Sequence, residues 1–296
     1  MVFKTWSVTV AHLSIMSTKH HLAEWIRHIR HHEKQQELEL ELRIGTFQNN
    51  QFDAGINDYK AENTNQALQN VLTFVDHITQ QFDTLSHSNN ARWSRVVRSV
   101  MQRANYQGDV RHTVSKDDET YMVKKDYMKK TTKKQMNIKT SRLFDVRASL
   151  CHEEPLVMED EKSALVQMIK KFPPSSVQPM HRTSIWELIQ LGQNQYVTLR
   201  YDMTKRSPPS TTKIESHKVP CNYEIEMELD ISPQAYQRFQ KPASFKPLQD
   251  RKQEEAENKR LAEIMWEKFS ILLGTHMKDG TPLEEQKEVV LQMKEF

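Results

Sequence analysis

A chain of 296 residues can bury one large core and has the length for one or two domains. Its mean hydropathy of -0.76 and its lack of any long uncharged apolar run exclude a helical membrane span of the usual ~20 residues, so a soluble protein with no membrane partner is expected. A formal net charge of +3 and only two cysteines, Cys151 and Cys221, fit unpaired thiols in a reducing compartment rather than a disulfide-stapled fold.

The opening residues, MVFKTWSVTVAHLSIM, scatter Lys4, His12, Thr and Ser where a secretory leader needs a continuous apolar run, so secretion is not expected. From Ser17 to about Gln35, Leu22, Trp25, Ile26 and Ile29 recur at helical spacing and predict a helix. His28 and His32 stand one turn apart on it, but they fall on its polar side and no Cys or carboxylate completes a zinc set at familiar spacing. The next stretch, QELELELRIGTF from Gln36 to Phe47, breaks the helical period. At about 100° per residue Leu38, Leu40 and Leu42 would scatter around a helix. A strand puts them on one face, with Glu37, Glu39, Glu41 and Arg43 on the other. A second helix is predicted over about Thr64 to Phe82, where Leu68, Val71, Leu72, Val75, Ile78 and Phe82 form one stripe.

From about Arg95 to Ile231 the pattern becomes short alternating runs: SRVVRSV, DVRHTVS, ETYMVKK, RLFDVRASL, RTSIWEL, QYVTLRYDM and YEIEMELDI. Turn chemistry separates them at YQGD, KDDE, FPPSSVQP and SPPSTTK. With the opening strand this makes about eight, enough to close an antiparallel barrel and remove exposed edges. After Ser232-Pro233 a helix marked by Leu261, Ile264, Met265, Phe269 and Leu272 follows, and a last helix is predicted from Thr281 to Phe296. The expected fold is α+β: a closed eight-stranded antiparallel barrel with packing helices outside. Its expected divisions are an N-terminal segment and helix (1–36), the barrel (37–242) and a C-terminal helical extension (243–296). Charge is uneven along the chain, with 15 Lys and Arg against 6 Asp and Glu between Arg92 and Arg147. Such a run suits a polyanionic ligand or, more plainly, a solvated basic face.

The acidic stripe occurs twice. NYEIEMELDI places Glu224, Glu226 and Glu228 on one face and Ile225, Met227 and Leu229 on the other. If the two stripes pair, like charges on neighbouring strands need a compensating cation, and all-oxygen ligands favour Mg²⁺ or Mn²⁺ over zinc. Between the stripes Arg147 sits two residues after Asp145, Arg182 begins RTSIW, and Arg200 stands two before Asp202. If the apolar faces pack outward against helices, the charged faces must line a tunnel. Carboxylates and bases facing each other there suit a metal-bound oligophosphate. Neither cysteine opens the Cys-x5-Arg loop of a cysteine phosphatase, so direct attack by water is expected.

These residues resemble the tunnel-type, metal-dependent RNA triphosphatases of fungi, protozoa and large DNA viruses, which remove the γ-phosphate of nascent RNA in mRNA capping. The family's Glu-x-Glu-x-basic-x-Gly matches Glu39 to Gly45, and its Glu-x-Glu-x-Glu matches Glu224 to Glu228. FDVRASLCHE, HRTSIWE and TLRYD resemble the strands between them. The match runs from about Glu37 to Ile231. The resemblance implies metal ligation by Glu39, Glu41 and Glu228. It implies metal-bound or attacking water on Glu153, Asp202 and Glu226, and phosphates on Arg147, Arg182 and Arg200. Arg111 and Lys124 match two further phosphate-contacting bases less closely, because the loops around them vary in length. Arg43 faces inward, where it balances the acids or meets a phosphate, while Glu37 is expected at the rim. Met180 stands where some fungal members have Lys. The resemblance further implies Mg²⁺ or Mn²⁺ as cofactor, the 5′-triphosphate end of RNA as substrate and a separate guanylyltransferase as partner, since no Lys-x-Asp-Gly motif occurs here. It is compatible with a homodimer, and it places the protein in the nucleus, or at a viral or cytoplasmic site of transcription. Two other readings stay open: a tripolyphosphatase or nucleoside triphosphatase of the same fold, and a non-catalytic barrel that binds nucleic acid or a transcription partner.

Overall fold

The computed structural model describes residues 13–49, 51–57, 65–87, 94–118, 123–140, 142–160, 162–192, 195–206, 222–231, 239, 250–274 and 288–295. Cys221, Trp6, the SPPSTTK stretch and Ser232-Pro233 lie outside them. Eight strands close into a ring. In chain order they are β1 (Leu38–Gln48), β4 (Ser94–Asn105), β5 (Val110–Asp117), β6 (Val123–Thr140), β7 (Asp145–Pro155), β8 (Ser176–Gly192), β9 (Gln195–Arg206) and β10 (Asn222–Asp230). Around the ring the order is β1-β7-β6-β5-β4-β8-β9-β10, and β10 pairs back onto β1. All these pairings are antiparallel.

The barrel is apolar outside and charged inside. Leu40, Leu42 and Ile44 of β1, Val146, Ala148 and Leu150 of β7, and Ile225, Met227 and Leu229 of β10 are all buried. They share one core with Leu22, Trp25, Ile26 and Ile29 of helix α1 (Leu13–His31) and with Phe74, Ile78 and Phe82 of α2 (Asn65–His87). Leu261, Met265 and Phe269 of α4 (Arg251–Leu273) complete it. The driving force that closes the barrel is therefore burial of its outer face. Helices α1 and α4 are also joined by charge: buried Arg30 meets Glu257 at 3.6 Å, and His31 Nε2 lies 2.7 Å from Glu254. Asp250 starts α4 by accepting the Lys252 N–H at 2.9 Å, and Gly274, at φ 64°, ends it. A short helix, α3 (Ala164–Lys171), begins at Ser163, whose side chain accepts the Val166 N–H.

Two glycines are required by geometry. Gly108, at φ 71°, makes the β4–β5 turn expected from YQGD. Gly45 lies within β1. The strand continues to Gln48, and a short strand, β2 (Gln51–Asp53), folds back along it. A Cβ on Gly45 would land on the Asp53 carbonyl oxygen and lie 2.7 Å from the Phe52 ring. A two-residue strand, β3 (Ile56–Asn57), then pairs with β10.

The tail differs from expectation. Residues Glu288–Glu295, read as the end of a helix, form strand β11, which pairs with the second half of β6. Strand β6 spends its first half on β5 and outruns the ring, leaving an edge that β11 covers. Strand pairing has overridden the helix propensity of Glu, Gln, Lys and Met there.

Candidate active site

The two acidic stripes lie side by side. Glu41 stands opposite Glu228, and Arg43 opposite Glu226, across the β1–β10 seam that closes the ring. Directly opposed residues share a face, so register carries the inward set around the barrel: Arg200 opposite Glu228, Asp202 opposite Glu226, and Ser184 opposite Asp202. On the other side of β1, Arg43 is opposite Arg147, and Glu153 of β7 is opposite Lys130 of β6.

The compensating cations are side chains. The Lys130 ammonium pairs with Glu39, with Glu41 at 2.9 Å and with Glu153 at 3.1 Å. Arg43 bridges Glu41 at 2.9 Å and Glu226 at 2.8 Å. Arg200 holds Glu228 at 2.5 Å and Asp202 at 3.1 Å. Arg182 reaches Asp202 at 3.1 Å and Glu226 at 3.3 Å, and its Nε donates to Thr204 Oγ1 at 3.0 Å. Ser184 Oγ donates to Asp202 at 2.5 Å, and Arg206 pairs with Glu224.

The electrostatics split the acids. Burial opposes ionisation of Glu226, but Arg43 and Arg182 outweigh it and lower the carboxyl to about 2. Burial likewise opposes Glu39, yet Lys130, a hydrogen bond from Glu228 and Arg200 hold it well below the usual carboxylate range. Glu228 goes the other way. Burial and the charge of Glu39 raise it well above that range, although Arg200 pulls the other way. Glu153 is also raised, by burial and then by Glu39.

Three arginines have no such partner. Among the described residues Arg103, Arg111 and Arg147 make no carboxylate ion pair. Arg103 is lowered to about 10, first by burial and then by Arg182 and Arg111, and its Nε finds no acceptor. Arg147 is lowered by burial and by Arg43; its Nε donates to Asn137 Oδ1 at 3.0 Å, and its guanidinium lies 4.4 Å from the centre of the Phe52 ring. Arg111 and Arg147, with Arg43 and Lys130, line a cavity of about 580 Å³ that also includes Glu41 and Ser149. Unpaired guanidinium groups at a cavity of this size are where an anion gains most. A second opening, about 170 Å³, is lined by Glu37, Glu39, Glu153, Glu228 and Asp230. At that side buried Trp186, whose Nε1 donates to Asp230 at 3.4 Å, packs with Val97, Leu188, Tyr196 and Phe239.

Of the residues singled out in the sequence, Glu39, Glu41, Arg43, Arg111, Arg147, Glu153, Arg182, Arg200, Asp202, Glu226 and Glu228 all come to this interior. Lys124 does not join the central cluster: it is exposed, opposite Ser115. Lys130, six residues on, does. Lys130 and Arg103 were missed by sequence reasoning. Glu37 sits at the rim, 2.9 Å from His152. Met180 faces inward and is fully buried. Cys151 is a buried free thiol, raised to about 12 by burial and by Glu41.

For a metal, the donor chemistry fits a hard divalent ion. The acids offer oxygen only, and Glu39, Glu41 and Glu228 stand together at the β1–β10 seam. The arrangement is not a ready cage, however. Among the described residues no three His, Cys, Asp or Glu groups stand in ligand geometry, and Lys130 holds the space between Glu39, Glu41 and Glu153.

Comparison with solved structures gives the S. pombe RNA triphosphatase, at a TM-score of 0.52 and 15% identity over 93% of this chain and 98% of that one. That protein in complex with the Spt5 CTD gives a TM-score of 0.48 at 14% identity, over 93% of this chain and 100% of that one. The Mimivirus capping enzyme triphosphatase gives 0.40 at 12%, over 86% and 97%. No protein-family model matches the chain, and no curated protein matches it. At these identities the likeness is one of architecture: the chain shares with the S. pombe protein an eight-stranded antiparallel barrel with its helices outside.

Proposed function

We propose that the chain is a metal-dependent RNA 5′-triphosphatase, converting triphosphate-ended RNA to diphosphate-ended RNA and inorganic phosphate. One observation carries this reading. Two glutamate stripes meet on adjacent strands inside a closed barrel, and the bases around them leave Arg111 and Arg147 without a carboxylate partner at a cavity of about 580 Å³.

In the reaction, Arg111 and Arg147 bind the α- and β-phosphates at the mouth, and Arg43, Lys130, Arg182 and Arg200 draw the γ-phosphate toward the acids. Water attacks the γ-phosphorus in line; the bond to the β-phosphate oxygen breaks, and the diphosphate end leaves with that electron pair. Glu153 is the least buried carboxylate around Lys130, at 28% exposure, and its raised pKa suits it to take the water's proton. Asp202, held by Arg182, Arg200 and Ser184, fixes those two guanidinium groups. Glu39, Glu41 and Glu228 would hold Mg²⁺ or Mn²⁺, which would neutralise charge developing on the phosphoryl oxygens. With no Lys-x-Asp-Gly motif in the chain, completing a cap would fall to a separate guanylyltransferase at the site of transcription.

The test is phosphate release from γ-labelled triphosphate-ended RNA, nucleoside triphosphate and inorganic tripolyphosphate, with Mg²⁺ or Mn²⁺, in the wild type and in Glu41→Ala. Metal-dependent release from RNA that Glu41→Ala abolishes is expected. Release from tripolyphosphate alone would assign the other activity of this fold, and no release from any substrate would leave a binding barrel.

A further inference from the structure

Beside the basic mouth lies a cavity of different character. It has a volume of about 290 Å³ and is walled by Tyr106, Met168, Phe172, Pro173 and Pro174. Tyr106 also lines the phosphate cavity, so the two adjoin at this residue. Their walls are bonded together. Ser175, on the apolar side, donates its N–H and its Oγ to the Asn105 carbonyl at 2.7 and 2.9 Å, and Asn105 Nδ2, on the phosphate side, donates to Ser176 Oγ at 2.9 Å. Helix α3 supplies Met168 and ends in the exposed pair Lys170 and Lys171. Phe172, the next residue, is 51% exposed, with Lys171 Nζ 5.3 Å from its ring centre.

Among the described residues no charged side chain lines this cavity, whereas the one it adjoins is crowded with them. A half-exposed Phe and a Tyr at the rim of a phosphate site offer what the triphosphate cannot use and an attached nucleoside can. We propose that this cavity is a nucleobase subsite, which takes the base of the 5′-terminal nucleotide while its triphosphate runs into the tunnel. The inference rests on the triphosphatase reading above and deepens it. Stacking on an aromatic ring tolerates any base, because every base has a π-face. Lys170 and Lys171 would meet the backbone phosphates that follow. The direction of entry agrees, since the second opening presents Glu37, Glu39, Glu153, Glu228 and Asp230, against Arg200 as its one base, to a polyanion. Inorganic tripolyphosphate has nothing to place in the subsite, so Tyr106 and Phe172 would select nucleotide ends over it.

Binding and hydrolysis are read separately. Calorimetry measures affinity for GTP and for inorganic tripolyphosphate in the wild type, Tyr106→Ala and Phe172→Ala, with Tyr106→Phe and Phe172→Tyr as ring-preserving controls. Each alanine is expected to weaken GTP about tenfold, the effect of removing one stacking partner, and to leave tripolyphosphate unchanged. The controls should retain GTP affinity. In kinetics, KM for triphosphate-ended RNA rises by a similar factor and kcat holds. Equal loss for both ligands, or no loss for GTP, overturns the subsite. A wild type that hydrolyses nothing refutes the triphosphatase reading, and the affinity ratio then decides the subsite by itself.

Discussion

Lys130→Met removes the one ammonium that Glu39, Glu41 and Glu153 share. The Lys130 side chain is 8% exposed, and the three acids are 14%, 6% and 28% exposed, so water replaces little of what is lost. Removing one partner of a buried ion pair costs about 3–5 kcal/mol. Partial protonation of the acids relieves some of this, so a loss of roughly 3 kcal/mol at pH 7 is expected. The sign follows from the shifts. Lys130 is raised well above its ordinary 10.5, so its contribution is fully present below that value and is lost only as pH rises through the higher folded one. Glu39 is lowered below 4.5, so its share is present above that value and fades as pH falls further. The deficit of the variant should therefore be largest near neutrality and shrink below about pH 4.5. Urea unfolding of both proteins at pH 7 and pH 4 reads it out. Millimolar Mg²⁺ or Mn²⁺ should restore part of the variant's midpoint, because the freed oxygens are those a divalent ion would use. Equal midpoints at pH 7 would show that Lys130 is an ordinary solvated lysine and would refute the charge assignment.

Gly45→Ala should destabilise by about 1–3 kcal/mol through overpacking, because its Cβ lands on the Asp53 carbonyl and the Phe52 ring. It should also raise KM, since Phe52 lies under the Arg147 guanidinium; an unchanged urea midpoint would refute the close approach. Cys151, raised to about 12 by burial and by Glu41, stays a neutral thiol at pH 8. Iodoacetamide should leave the native Cys151 peptide unlabelled by mass spectrometry and label it in urea; labelling of the native protein would show that the interior is open to solvent at that point.

Period-two alternation made most of the barrel legible, because a strand that packs outward on helices must show its other face to the interior. Leu38, Leu40 and Leu42 against Glu39, Glu41 and Arg43 settle both faces without knowledge of a neighbour. The same logic found Arg147, Arg182, Arg200 and Asp202. It failed at Lys130, because MKKTTKKQ places lysines at both parities, at 129 and 130 and again at 133 and 134. A register shift between Thr132 and Lys134 then changes the phase within the strand. Only the pairing of Lys130 with Glu153 across β6 and β7 fixes which lysine turns inward, and pairing at that distance along the chain leaves no local mark. Strand β11 was illegible for the same reason: its residues favour a helix, and what makes them a strand is the uncovered edge of β6 about 150 residues earlier. Arg103 shows a different limit. SRVVRSVMQRAN carries apolar residues at both parities, so neither the inward face of Arg103 nor its lack of a carboxylate partner could be read. That deficit is a property of the assembled ring, in which Arg43, Lys130, Arg182, Arg200 and Arg206 have taken up the nearby acids. On the proposed function, Arg111 and Arg147, unpaired at the cavity, would meet a ligand that brings its own negative charge.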